Sequence, residues 1–153
     1  MWRLHIAGDG PALPGLRRLA TELGIAARVH FDGPLPSDQV APYLRDLDVL
    51  VMTSRTLPNW QEQFGRVLVE AMACGVPVVG SDSGEIPNVI GDAGLIVPEE
   101  DIDALRRGLL QLMQDDALRL DMGQRGRQRV MERFTQARIA ADTVDVYRHM
   151  LAQ

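Results

Sequence analysis

EQFGRVLVEAMACGVP, residues 62–77, reads as a loop, a helix start and a short helix. Phe64, Val67, Leu68, Val69, Ala71, Met72 and Ala73 leave almost no polar face. A helix apolar all round is normally buried. Glu70 nevertheless stands in its middle, and Glu62 just before its start. A buried carboxylate without partners is very costly, so Glu70 is expected to meet a partner from the protein or from a ligand. Within the chain the candidate is Arg66, one helical turn earlier, in the weaker orientation for such a pair.

Gly65 at the first turn allows a ligand to approach the backbone with no side chain in the way. The N–H groups of Phe64, Gly65, Arg66 and Val67 are expected to point out of the helix start. With the helix dipole behind them they form a site for a phosphate. Glu62 and Glu70 flank that site, at most roughly 12 Å apart at the helical rise, a span that fits the two sugars of a sugar–pyrophosphate–nucleoside. A carboxylate suits a vicinal diol because it accepts two hydrogen bonds at once. Alone, Glu62 reads equally well as a solvated loop carboxylate. The specific signal is the pair of carboxylates around a glycine-opened helix start.

Outward from this stretch, strands and helices alternate. Leu4–Ala7 reads as a buried strand running into Gly8-Asp9-Gly10-Pro11, and Leu13–Leu23 as a helix stopped by Gly24. Arg28–Phe31 reads as a second strand, ended by Asp32-Gly33-Pro34. Ser37 suits the N-cap of a helix over Val40, Tyr43 and Leu44. Asp48–Met52 reads as a third strand, apolar enough to be covered on both faces. Beyond the central helix come a short buried strand at Val78-Val79, a loop at Ser81–Glu85, a short helix at Ile86–Ile90 and a strand at Leu95–Val97. Residues 101–114, 117–134 and 137–151 read as amphipathic helices. This alternation implies an α/β fold, a Rossmann-like parallel sheet with helices on both faces. Ligands then bind beyond the C-terminal strand ends, at Gly8–Pro11, Gly33–Pro36, Thr53–Gly65 and Ser81–Glu85.

The 153 residues suffice for one domain with its own core. A net charge of −5 argues against nucleic acid as a partner. The single cysteine, Cys74, allows no internal disulfide, reads as a small core residue and points to the cytoplasm. His5, His30 and His149 are scattered, and no spacing suggests a metal. No run is long enough to span a membrane, and Met1-Trp2-Arg3 does not read as a secretory leader.

Glu62, seven residues, Glu70, then Ala71-Met72-Ala73-Cys74-Gly75-Val76-Pro77-Val78-Val79 closely resembles the donor-site motif of retaining GT-B glycosyltransferases, the nucleotide-sugar-dependent family 4 or glycosyl transferases group 1. The resemblance runs from about Leu4 into the last helix. It implies that Glu70 holds the ribose, that Glu62 positions the donor hexose, and that the backbone of Phe64, Gly65, Arg66 and Val67 faces the diphosphate and sugar. It places Gly33 and Leu35 near the nucleotide base, where a plain turn is the alternative, and closes Ser83-Gly84 over the donor. Gln63 stands where the family often has Gly, Asn88 where it often has Glu, and the loop Arg55–Gln61 is long. The resemblance implies no metal and no cofactor beyond the nucleotide-diphosphate sugar. The acceptor, a glycan, lipid or small molecule, belongs to an N-terminal half that nothing in these residues resembles. In the full enzyme the work is done in the cytoplasm or at the inner membrane face.

The family's donor half opens with a further strand–helix unit carrying a basic pair, and Met1 begins after it. Residues 1–153 therefore read as a truncated C-terminal donor-binding domain, weak in nucleotide binding and inactive in transfer alone. Without the missing strand the domain must close a gap, borrow a strand or expose an edge. The last helix (Ala137, Ile139, Val144, Tyr147, Met150 and Leu151) must fold onto its own sheet or support self-association. Two other functions stand against this reading. A dinucleotide-dependent oxidoreductase would use Gly8-x-Gly10 and Asp32, but Leu13 occupies the third glycine position and Glu62 and Glu70 go unexplained. A non-catalytic nucleotide-binding module is the other.

Overall fold

Val78–Ser81 is the most enclosed strand of the chain, buried at every residue. In the computed structural model, which describes Met1–Ala152, the elements run β1 (Leu4–Ala7), α1 (Leu13–Glu22), β2 (Val29–Gly33), α2 (Ser37–Arg45), β3 (Leu50–Met52), α3 (Arg66–Ala73), β4 (Val78–Ser81), α4 (Ile86–Ile90), β5 (Leu95–Val97), α5 (Ile102–Gln114), α6 (Asp116–Arg133) and α7 (Gln136–Leu151). The chain divides into two compact units, Met1–Val40 and the remainder from Ala41. All strand pairs are parallel, in the Rossmann-like α/β manner expected.

The first unit is one βαβ crossover. β1 pairs with β2 in the register Leu4↔Val29, His5↔His30, Ile6↔Phe31, with a shift before Ala7↔Gly33. The Gly8 N–H donates to the Gly33 carbonyl at 2.7 Å and ends the pairing. Arg17 of α1 lays its guanidinium 4.6 Å from the Phe31 ring centre. The expected burial of β1 does not hold, since Leu4 is 44% exposed. Among the described residues it is hydrogen-bonded to β2 alone, so one edge of the strand is unpaired.

The second unit is built on the sheet β3-β4-β5, with β4 central. Successive residues of a strand face opposite sides, and β4 shows what each side needs. Val79 packs with Val97, Leu112 and Met122, beneath α5 and α6. Burying Leu112 completely contributes about 1.5–3 kcal/mol. Gly80, on the other side, leaves space that Ile86 and Ile90 of α4 fill, and a Cβ there would overlap both. Helices thus cover both faces. β3 is an edge strand, so Val51 is 37% exposed and not covered on both faces as its composition suggests. Hydrogen bonding stops at β1 and at β3, so the strands form two sheets, not one.

α6 binds the second unit by an unusual face. Gly123 and Gly126 are buried; a Cβ on Gly123 would run into the Gly75 carbonyl, and one on Gly126 would press on Met72. Its arginines reach out from that face to helix ends. Arg129 donates to the Val89 and Asn88 carbonyls at 2.8 and 2.6 Å, Arg127 to that of Ala73 at 3.2 Å, Arg125 to Asp92 and Arg119 to Leu112. Except at Asp92, in the turn after α4, these satisfy carbonyls that a helix C-terminus leaves open.

α7 begins at a cap, the Thr135 hydroxyl accepting from the Arg138 N–H. None of its residues is buried, so it does not fold back onto a sheet. Tyr147 and Met150 are 61% and 66% exposed. An apolar stripe of this kind favours association. The chain is expected to sediment as more than a monomer as concentration rises, and Tyr147→Lys with Met150→Lys is expected to reverse this. Monomeric sedimentation at every concentration would contradict it.

Candidate functional site

α3 carries its buried residues on one face only, at Leu68, Ala71 and Met72, the spacing of an ordinary amphipathic helix. It is not buried all round. Val67, Val69 and Glu70 are half-buried and Arg66 is exposed. The partner that Glu70 was expected to need is Arg66, whose Nε lies 3.3 Å from Oε1. The Glu70 side chain remains 37% exposed and the Arg66 side chain 81%, so the pair leaves the carboxylate open to solvent. An exposed helical pair of this kind stabilises by about 0.3–0.5 kcal/mol.

Gly65 caps the start of α3 in the left-handed region, at φ 72°. A side chain there is strained by the backbone, and its Cβ would lie 2.9 Å from Leu68 Cδ1. The glycine thus has a local reason, separate from any ligand's approach. Its N–H is not open, because Glu62 Oε1 accepts from it at 3.0 Å. The N–H groups of Phe64, Arg66 and Val67 meet no acceptor among the described residues. The helix start therefore offers three free donors and a fourth filled by a carboxylate.

Glu62 also ties two loops together. Its carbonyl accepts from the Glu85 N–H at 3.0 Å, and Ser54 Oγ lies 3.4 Å from Oε2. Gly84, at φ 52°, crosses so closely that a Cβ would overlap the Glu62 carbonyl. Ser83 beside it is fully buried, and its hydroxyl meets that of Thr56 at 3.0 Å. It braces the loop and offers nothing to solvent. Phe64 packs edge-on against Phe134, at the C-terminal end of α6, with centroids 5.7 Å apart. Thus Glu62, Phe64, Gly65, Arg66, Val67, Glu70, Ser83 and Gly84 gather at the C-terminal ends of β3 and β4. Gly33 and Leu35 belong to the first unit, at the end of β2 and just beyond it.

Sequence reasoning missed the strap that holds the loop between β3 and α3. Thr56 donates its N–H to Glu99 Oε2 at 2.7 Å and its hydroxyl to Oε1 at 2.6 Å. Arg55 meets Glu100 at 2.9 Å, the Glu99 N–H donates to Asp82 at 2.7 Å, and the Ser81 hydroxyl donates to the Ser54 carbonyl at 2.5 Å. The only local signal is a cluster of small polar and acidic residues after successive strand ends. A cavity of about 200 Å³, lined by Thr53, Ser54, Arg55, Val97 and Glu100, opens at the same ends; none of the expected donor-binding residues lines it.

The glycine turn Gly8–Gly10 runs from β1 toward α1, and Asp32, in β2, lies 3.0 Å from His5 Nδ1. Among the described residues no group of His, Cys, Asp and Glu is placed to hold a metal ion, and no helix is long and apolar enough to cross a membrane.

The profile of the family described as "Glycosyl transferases group 1" matches residues 1–129. The chain belongs to that family. It is 36% identical to the N-acetyl-alpha-D-glucosaminyl L-malate synthase of Bacillus anthracis over 97% of its own length, which is 38% of that enzyme's. The chain therefore spans about two fifths of this relative. Its fold is also that of Anabaena HepE, solved in complex with UDP, with a TM-score of 0.85 and 22% identity over 97% of this chain and 41% of that one. The C-terminal domain of the group 1 glycosyltransferase LpcC from Francisella tularensis aligns with a TM-score of 0.77 and 24% identity, over 88% of this chain and 71% of that one. The fold is the C-terminal half of a GT-B glycosyltransferase. An oxidoreductase is not favoured.

The strap carries a pH dependence. Hydrogen bonds from the Thr56 hydroxyl, and then from its amide, hold the Glu99 carboxyl below its ordinary value. A carboxyl lowered in the folded state contributes stability above the unfolded value, lost as pH falls through the folded one. The protection of the Thr56 amide, its exchange rate relative to the intrinsic rate at the same pH, is therefore expected to fall as pH drops below the ordinary glutamate range, and Glu99→Gln to lower it at neutral pH. Unchanged protection in the variant would remove Glu99 from this role.

Proposed function

We propose that this chain is the donor-binding part of a retaining glycosyltransferase that moves a hexosyl group from a nucleotide-diphosphate sugar. The observation that carries the reading is the start of α3, where three unfilled N–H donors lie between two carboxylates, Glu62 and Glu70. Oriented amides at a helix start suit a diphosphate. Glu70 then takes the ribose hydroxyls, turning from an ion pair that is weak enough to give up. Glu62 takes hydroxyls of the donor hexose, which requires its Oε1 to leave the Gly65 N–H. That amide then becomes a fourth donor to the diphosphate, so donor arrival and Glu62 movement are one exchange. Gly84 closes beside the hexose.

In this reading the leaving diphosphate oxygen assists the acceptor hydroxyl on the face it departs from, and Glu62 positions the donor without acting as a base. The acceptor, a glycan, lipid or small molecule, is met by a portion of the enzyme outside these residues, in the cytoplasm or at the inner membrane face. The chain alone is expected to bind nucleotide weakly and to transfer no sugar.

Calorimetric titration with UDP, GDP, ADP and NAD tests the reading. A nucleoside diphosphate is expected to bind and NAD not. Glu70→Gln is expected to weaken nucleoside diphosphate binding about ten-fold or more, since bonds to a charged group contribute about 1.5–3 kcal/mol. Melting should shift little, because the pair with Arg66 is exposed. Unchanged binding in Glu70→Gln would reduce Glu70 to a surface ion pair.

A further inference from the structure

We propose that Trp60 is a sugar-stacking residue, its indole held by the Leu57–Trp60 turn as a platform for the apolar face of a pyranose ring beside Glu62. The proposal rests on the donor-domain reading for the place of the sugar, and on the turn itself for the platform.

Leu57 and Trp60 close the turn in both directions, Leu57 N–H to the Trp60 carbonyl at 2.7 Å and Trp60 N–H to that of Leu57 at 3.2 Å. Pro58 stands at the position where its fixed φ pre-sets a turn. The turn is anchored at both ends. Before it, Thr56 and Arg55 are bound to Glu99 and Glu100. After it, the Glu62 carbonyl is bound to Glu85.

What the turn displays is apolar. Trp60 is 50% exposed and Leu57 47%. Tryptophan is on average highly buried, and with only two side-chain torsions an exposed one offers contact area at low entropic cost. Trp60 makes no side-chain hydrogen bond or ring contact among the described residues. Two residues later comes Glu62. A pyranose carries C–H groups on its face and hydroxyls round its rim. An indole plane with a neighbouring carboxylate meets both kinds of surface. The anchors of the turn run to the loops after β4 and β5, the strand ends at which Glu62 also stands.

The ring could belong to the donor or to a sugar acceptor, and the test separates them. Trp2→Phe leaves Trp60 the only tryptophan of the chain, a fluorescent reporter of its own contacts. UDP, GDP, UDP-glucose, GDP-mannose, methyl α-glucoside and methyl α-mannoside are titrated into this variant, and by calorimetry into the chain, Trp60→Ala and Trp60→Phe. A nucleotide sugar is expected to change indole emission where its nucleoside diphosphate does not. Trp60→Ala is expected to weaken that nucleotide sugar about five-fold and leave the nucleoside diphosphate unchanged, with Trp60→Phe recovering most of the loss. The same pattern with a methyl glycoside alone assigns the platform to the acceptor. Equal losses for nucleoside diphosphate and nucleotide sugar, or no change with any sugar, overturns the proposal. A methyl glycoside that binds through Trp60 while no nucleotide binds would overturn the donor-domain reading instead.

Discussion

Two stretches of backbone cross at Glu62 and Gly84 with no room for a side chain between them, and the site hangs on that crossing. The Glu85 N–H bonds to the Glu62 carbonyl there, which aligns the loop after β3 with the loop after β4. From the same residue the carboxylate reaches forward to the Gly65 N–H and sets the start of α3. A helix start is the most polarised part of a helix, so a carboxylate stored on it is stable without a ligand. The residue expected to contact a ligand is also what ties two loops and the helix start together.

Most elements were legible because their periods are clean. The apolar spacing of Leu16, Leu19 and Leu23 gave α1, with Gly24 at its stop, and the run Leu95-Ile96-Val97 gave β5. Burial was less legible than type. Leu4 and Val51 read as core residues and are partly exposed, because exposure of a strand depends on which neighbours it finds. The same holds for α3. Its composition is apolar all round, yet only Leu68, Ala71 and Met72 meet a core.

The grouping of the candidate residues was legible where they are local in sequence, as in Glu62, Gly65 and Glu70 around the start of α3. It was not legible where partners lie far apart. Nothing in Thr56 announces Glu99, and nothing in Phe64 announces Phe134. Gly123 and Gly126 are harder still. Glycine inside a helix reads as a weakness, and only the approach of Gly75 and Met72 shows that a larger residue would push α6 away. Nor does the sequence announce that the Ser83 hydroxyl is buried against that of Thr56.

The clasp by which α6 seizes the ends of its neighbours has a chemical consequence. All 16 basic residues of the chain are arginine, and none is lysine. A guanidinium forks across two carbonyls, as Arg129 does, where an ammonium acts as a point charge. Because these acceptors carry no net charge, dissolved salt has little to screen. The chain also presents no side-chain amine, the group with which the open-chain aldehyde of a reducing sugar condenses. Its side chains are in this way closed to that condensation.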